Sequence, residues 1–109
     1  MSIIVHIYYS GRNGAARKFA AEMMKSGTVE AIRKEKGNIG YSYFYPVEDE
    51  ETVLLIDSWK DQESIDRHHA SSMMKVITDL REKYDLHMHV ERYISDTSMP
   101  ESDKAFIRK

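Results

Sequence analysis

Apolar residues recur along the chain at two spacings, and the change from one to the other marks the elements. Residues 2–9 mix Ile, Val and Tyr and predict a strand. SGRNG, at 10–14, is turn chemistry. From Ala15 the spacing becomes helical, and Ala16, Phe19, Ala20 and Met23 form one apolar face. Ser26-Gly27-Thr28 interrupts that helix, because glycine is poor in a helix and Ser or Thr caps a new one. A second short helix is expected over 29–36, with Glu30 and Lys34 in the favourable i, i+4 order, ended by Gly37-Asn38. IGYSYFY, at 39–45, reads as a strand with Tyr41, Tyr43 and Tyr45 on one face. Pro46 closes it, and VEDEE is the hairpin loop. Residues 52–59 are apolar almost without break up to Ile56, which predicts a central strand covered on both faces. Asp61 stands at a helix N-cap position, and a short helix runs to about His69. Ser71 is placed to cap the next helix, where Met73, Val76, Ile77 and Leu80 give a core stripe. Residues 86–94 alternate and form the fourth strand. SDTSMPESDKAFIRK, at 95–109, is a polar tail with a small apolar knot at 105–107.

The order β-α-β-β-α-β constrains the topology. Right-handed crossovers leave a gap between the first two strands, the third fills it by hairpin return, and the fourth pairs with the first. The expected fold class is α+β: a ferredoxin-like four-stranded antiparallel sheet with helices on one face. The other face is left bare, carrying Ile4 and Tyr8 or the tyrosine stripe according to register. An apolar face of that size rarely stays in water, so a homodimer with sheets packed face to face is expected. The domain is read as residues 1–95. The tail, 96–109, is expected to dock on the partner subunit through Phe106 and Ile107.

Composition narrows the partners. With 109 residues there is one domain, and a domain this small buries only about two-thirds of the surface its unfolded chain exposes. Hydrophobic residues at 41% and charged residues at 31% suit a globular domain. A net charge of −2 argues against nucleic acid, whose phosphates need clustered positive charge. The absence of cysteine excludes disulfides, thiolate metal sites and cysteine nucleophiles. No stretch reaches the ~18 apolar residues of a membrane-spanning helix, and the N-terminus lacks the pattern of a signal peptide. A cytoplasmic protein without membrane contact is the simplest expectation. GRNG, at 11–14, has too few glycines and no lysine-serine pair for a phosphate loop.

Several segments together carry a family likeness: GNIGYSYF, the acidic residue and tryptophan of LIDSWKDQES, His68 nine residues after Trp59, a serine before the next helix, and the closing VERY. On these, residues 2–94 resemble the antibiotic biosynthesis monooxygenase-like family of dimeric α+β barrels. The likeness is strongest to its small bacterial members described as quinol monooxygenases. It implies a cofactor-independent oxygenation of a quinol or similar electron-rich phenolic, with dioxygen as co-substrate and no metal, flavin or heme. Two other readings stay open: a non-catalytic dimeric binding protein for a small apolar ligand, and an isomerase of a small carbonyl compound. The heme-degrading branch uses an asparagine on the first strand and a helical tryptophan. Here SIIVHIYY has no asparagine, and His68 occupies the tryptophan's position. Relatives with a proline and histidine after the capping serine differ as well, since Ser72 and Met73 stand there.

Oxygenation without a cofactor needs a substrate that supplies its own electrons. The protein must hold a flat apolar ring, take a proton from it and stabilise the resulting anion. Histidine is the natural base, and tyrosine hydroxyls are suitable donors to an oxyanion. His68 is the first candidate, because Ile65 three residues earlier marks the inward face of the same helix. It serves either as base or hydrogen-bond donor, or as a packed histidine bonding a backbone carbonyl. His69, at the helix end, is expected in solvent. Trp59 is either a ring-stacking wall or a core or dimer anchor. Tyr41, Tyr43 and Tyr45 line either a pocket or the dimer core, and Tyr9 joins the pocket rim. His87 and His89 share a face and lie near His6, but no carboxylate spacing completes a metal site. The methionines are adaptable filler.

Overall fold

The computed structural model describes residues 1–109. Two inner strands, β1 (Ile3–Ser10) and β3 (Thr52–Trp59), are flanked by β2 (Asn38–Phe44) and β4 (His87–Ile94). The order is β2-β3-β1-β4 and every neighbouring pair is antiparallel. The first crossover carries helices α1 (Ala15–Lys25) and α2 (Thr28–Arg33). The second carries α3 (Gln62–His69) and α4 (Met73–Lys83), and a single turn, α5 (Glu101–Lys104), lies in the tail. This is the ferredoxin-like α+β arrangement that the alternating patterns predict. No helix is long and apolar enough to cross a membrane.

Register divides the strand residues between two faces. Val5 pairs with Asp57 and Arg92, and Tyr9 with Val53 and Met88. Tyr41 pairs with Asp57 and Tyr43 with Leu55. Because side chains alternate, all of these point toward the helices. There Val5, Tyr9, Tyr41, Leu55 and Trp59 meet Phe19, Met23, Val29, Ile32, Ile65, Ile77 and Leu80 in one core. The opposite face holds Ile4, His6 and Tyr8 beside Leu54, Ile56, Phe44, His89 and Tyr93, and no helix crosses it. Burial along β3 therefore alternates, although its sequence is almost continuously apolar. Within one chain the strand is covered on one side only, which corrects the expectation of cover on both.

Local chemistry sets the corner between β3 and α3. Asp61 Oδ1 accepts hydrogen bonds from the Ser64 amide at 2.9 Å and its hydroxyl at 2.7 Å, as an N-cap should. Gly37 has φ +87°, and a Cβ there would collide with the Ser64 side chain. The glycine thus lets the turn before β2 sit directly on the start of α3. That turn carries Glu35, since α2 ends at Arg33 rather than running to 36.

Three further expectations are corrected. Tyr45 lies beyond β2, half exposed beneath the Arg17 guanidinium at 4.3 Å, so it does not share the setting of Tyr41 and Tyr43. Ser72, not Ser71, is the N-cap of α4, and its side chain makes no cap bond. The Ser71 hydroxyl instead donates to the His68 carbonyl at 2.6 Å, closing α3. Val76 is exposed because it lies to one side of the Ile77 and Leu80 stripe.

Candidate functional site

Between the sheet and the pair α3–α4 lies a cavity of about 230 Å³. An apolar cavity of about 150 Å³ accommodates benzene, so the space admits an aromatic guest larger than one ring. Val5, Ile7, Leu55, Ile65 and Ile77 make its walls, and Met74 and Met88 add flexible filler. Its open side faces β4, which is exposed along nearly its whole length. Arg81 and Arg92 frame that side.

His68 is buried at 5% exposure and lines the cavity. Its Nδ1 lies 2.6 Å from Glu35 Oε2. An ionised carboxylate only accepts, so with Glu35 ionised Nδ1 donates, and a neutral ring then keeps Nε2 as its acceptor nitrogen. The indole of Trp59 stacks on the imidazole at 4.8 Å between centroids and 29° between planes. The Tyr41 ring meets it edge-on at 6.2 Å. The imidazole is therefore held by a charged partner on one edge and aromatic rings on its faces.

Asp57 is a buried carboxyl on the sheet wall of the same cavity. Its Oδ2 accepts from Trp59 Nε1 at 2.7 Å. Burial raises its titration above the ordinary aspartate value, and the indole hydrogen bond and the nearby imidazole oppose that rise only in part. Burial also pushes the phenols of Tyr9, Tyr41 and Tyr43 well up, so they stay protonated at neutral pH and act as hydroxyl donors. The arrangement suits a flat, weakly acidic guest: apolar walls, a fixed proton acceptor and phenolic donors.

The sequence profile of the antibiotic biosynthesis monooxygenases matches residues 2–79. The chain belongs to this family. Among its solved structural relatives is a conserved protein from Methanosarcina mazei, 26% identical, with a TM-score of 0.76 over 88% of this chain and 94% of that one. PA3566 from Pseudomonas aeruginosa is 16% identical, with a TM-score of 0.75 over 88% of this chain and 95% of that one. SnoaB, a cofactor-independent oxygenase from Streptomyces nogalater, is 11% identical, with a TM-score of 0.73 over 92% of this chain and 98% of that one. At 16% and 11% identity the last two show a shared fold. No protein of curated function matches the chain.

Within this family member, the residues singled out from sequence separate into two groups. His68, Tyr9 and Tyr41 line the cavity together. Trp59 does not line it: the indole is fully buried and stacks on His68. Tyr43 sits beside the cavity, edge-on to Phe19 at 6.1 Å and to Tyr41 at 6.0 Å. His69 is exposed at the rim, 5.8 Å from His68 between ring centroids. His6 meets Tyr93, and His89 meets Tyr8, on the open face. No three acidic or histidine side chains converge as a metal site anywhere in the chain.

Two residues of the site were not marked by sequence as chemical. Glu35 lies 33 positions from His68 in a charged run, and only the Gly37 turn brings it there. Asp57 is legible as the acidic mark two residues before Trp59, but the spacing alone does not reveal its burial.

Proposed function

We propose that this protein is a cofactor-independent monooxygenase acting on a quinol or similar electron-rich phenolic bound in the cavity under α3 and α4. The observation that carries the reading is the buried His68–Glu35 pair on the lining of an apolar, ring-sized space. Family membership supports oxygenation chemistry, and SnoaB, described as cofactor-independent, offers a precedent on the same fold.

In this reading His68 Nε2 takes a hydroxyl proton from the ring, and Glu35 stabilises the imidazolium that forms. The anion passes one electron to dioxygen, and the radical pair joins to form a carbon–oxygen bond. The ring hydroperoxide then loses water to give a hydroxyquinone. One oxygen atom enters the ring, the other leaves as water, and the substrate supplies all four electrons. Tyr9 and Tyr41 hydroxyls stabilise negative charge on the ring oxygen. The apolar walls exclude bulk water from the anion.

The open sheet face supports a second part of the proposal. A second copy of the chain covers it, giving a homodimer whose two cavities lie on the outer, helix-bearing sides. Tyr8, Phe44 and Tyr93 suit a buried interface.

Oxygen uptake with 1,4-dihydroxynaphthalene under labelled dioxygen tests the chemistry. The expected product is a hydroxyquinone carrying one labelled atom, formed faster than without protein. Uptake no faster than the uncatalysed reaction across a panel of hydroquinones would overturn the assignment.

A further inference from the structure

Asp57 is the only acidic residue lining the cavity. It is 6% exposed, and its two oxygens differ. Oδ2 is held by the Trp59 indole N–H at 2.7 Å. Oδ1 is buried and has no hydrogen-bond partner in the protein. A buried acceptor left without a donor is destabilising, and more so when it carries charge. Asp57 makes no ion pair, caps no helix and joins no metal-binding cluster. The fold itself therefore gives no use for the second oxygen.

The indole ties this carboxyl to the proposed base. Its N–H fixes Asp57 while its ring face stacks on His68 at 4.8 Å. One rigid plate thus sets the relative placement of Asp57 and His68, two residues that line the same cavity. A guest with a single hydroxyl satisfies one of them. A guest with two hydroxyls satisfies both.

We propose that Asp57 is the specificity-determining residue of the cavity: its Oδ1 accepts a hydrogen bond from a second ring hydroxyl while the first meets His68. Trp59 is then a positioning residue acting through Asp57 and His68. The guest class is an aromatic diol, selected over mono-phenols and simple carbonyl compounds. This rests on the cavity reading above but assigns a separate residue and a separate selectivity. Binding makes and breaks only hydrogen bonds here, and no electron moves.

Anaerobic titration calorimetry with 1,4-dihydroxynaphthalene and 1-naphthol tests it, using wild type, Asp57→Leu and Trp59→Phe. Wild type is expected to prefer the diol by about tenfold or more, the range of one hydrogen bond to a charged group. Asp57→Leu should lose the preference and bind both compounds alike. Trp59→Phe keeps a stacking ring but loses the N–H, so the ratio of diol to 1-naphthol affinity should fall. Equal affinity of the two probes for wild type would overturn the role of Asp57 and leave that of His68 standing. An undiminished preference in a folded Asp57→Leu would do the same. Failure of wild type to bind either probe would overturn the cavity reading along with this one. The wild-type comparison is decisive even if a variant does not fold.

Discussion

The two faces of the sheet are built from the same four strands and differ only in which alternate residues they show. On the helix side, Val5, Leu55 and Trp59 are buried, the Trp59 indole N–H is held by Asp57, and the His68 imidazole is held by Glu35. On the other side, Ile4, His6, Tyr8, Leu54 and Ile56 are half-buried by their neighbours alone, and Phe44 and Tyr93 are exposed. The difference separates two tasks. Chemistry that handles an anion needs fixed dipoles and little water, which the helix-covered side provides. In the proposed dimer, association would use the broad, mixed apolar and polar surface of the open side.

The comparison breaks most visibly at Trp59. Trp59→Ala empties the centre of the covered side and should lower the free energy of unfolding by about 3–5 kcal/mol in urea titration. Substitution on the open side should leave the subunit's own stability within about 0.5 kcal/mol and act on assembly. Leu54→Glu with Ile56→Lys is expected to weaken the dimer about 100-fold or more, near 3 kcal/mol, so that light scattering reports the monomer mass. A wild-type protein that is already monomeric at micromolar concentration would remove the assembly half of the comparison. Glu35→Gln should keep the fold but weaken the partner of the imidazolium, lowering the oxygenation rate about tenfold, equivalent to ~1.4 kcal/mol.

Asp57 sharpens the same contrast through pH. Its folded-state titration is raised, chiefly by burial, so the unfolded chain ionises at lower pH than the folded one. Ionisation therefore subtracts from stability at neutral pH, and the loss disappears as pH falls below the ordinary aspartate value of 3.8. Asp57→Asn should raise the melting temperature at pH 7, with the gain shrinking toward zero in acid. A gain independent of pH would mean that packing, not charge, is relieved. The smallest effect concerns the tail. Phe106 is 89% exposed and α5 buries nothing within its own chain. Deleting residues 96–109 should leave subunit unfolding unchanged and weaken only the dimer, if these side chains dock on the partner.

Much of this was legible in the chain itself. Strand β3 and the Asp61 cap follow from a short apolar run and capping chemistry, because both depend on residues a few positions apart. The inward direction of His68 follows from Ile65 for the same reason. Glu35 does not, since its partnership depends on a turn folding back across a distant helix. The face taken by Tyr41 and Tyr43 was open because a strand pattern alone does not say which side a sheet buries. Trp59 was read as wall or anchor, and its place behind His68 depends on the register between β1 and β3, which ends with Ile3 opposite Trp59. Continuity of apolar residues in β3 misled for one chain, because Leu54 and Ile56 face the side that a single subunit cannot cover.

The contrast between the faces is tested most directly by one rate measured on three proteins: wild type, His68→Ala on the covered side and His89→Ala on the open side. Oxygen uptake with 1,4-dihydroxynaphthalene should fall about 100-fold or more for His68→Ala, within the range of a lost general base, and stay within about twofold for His89→Ala. Equal rates for all three folded proteins, or an equal fall in both variants, would contradict the placement of the chemistry under the helices.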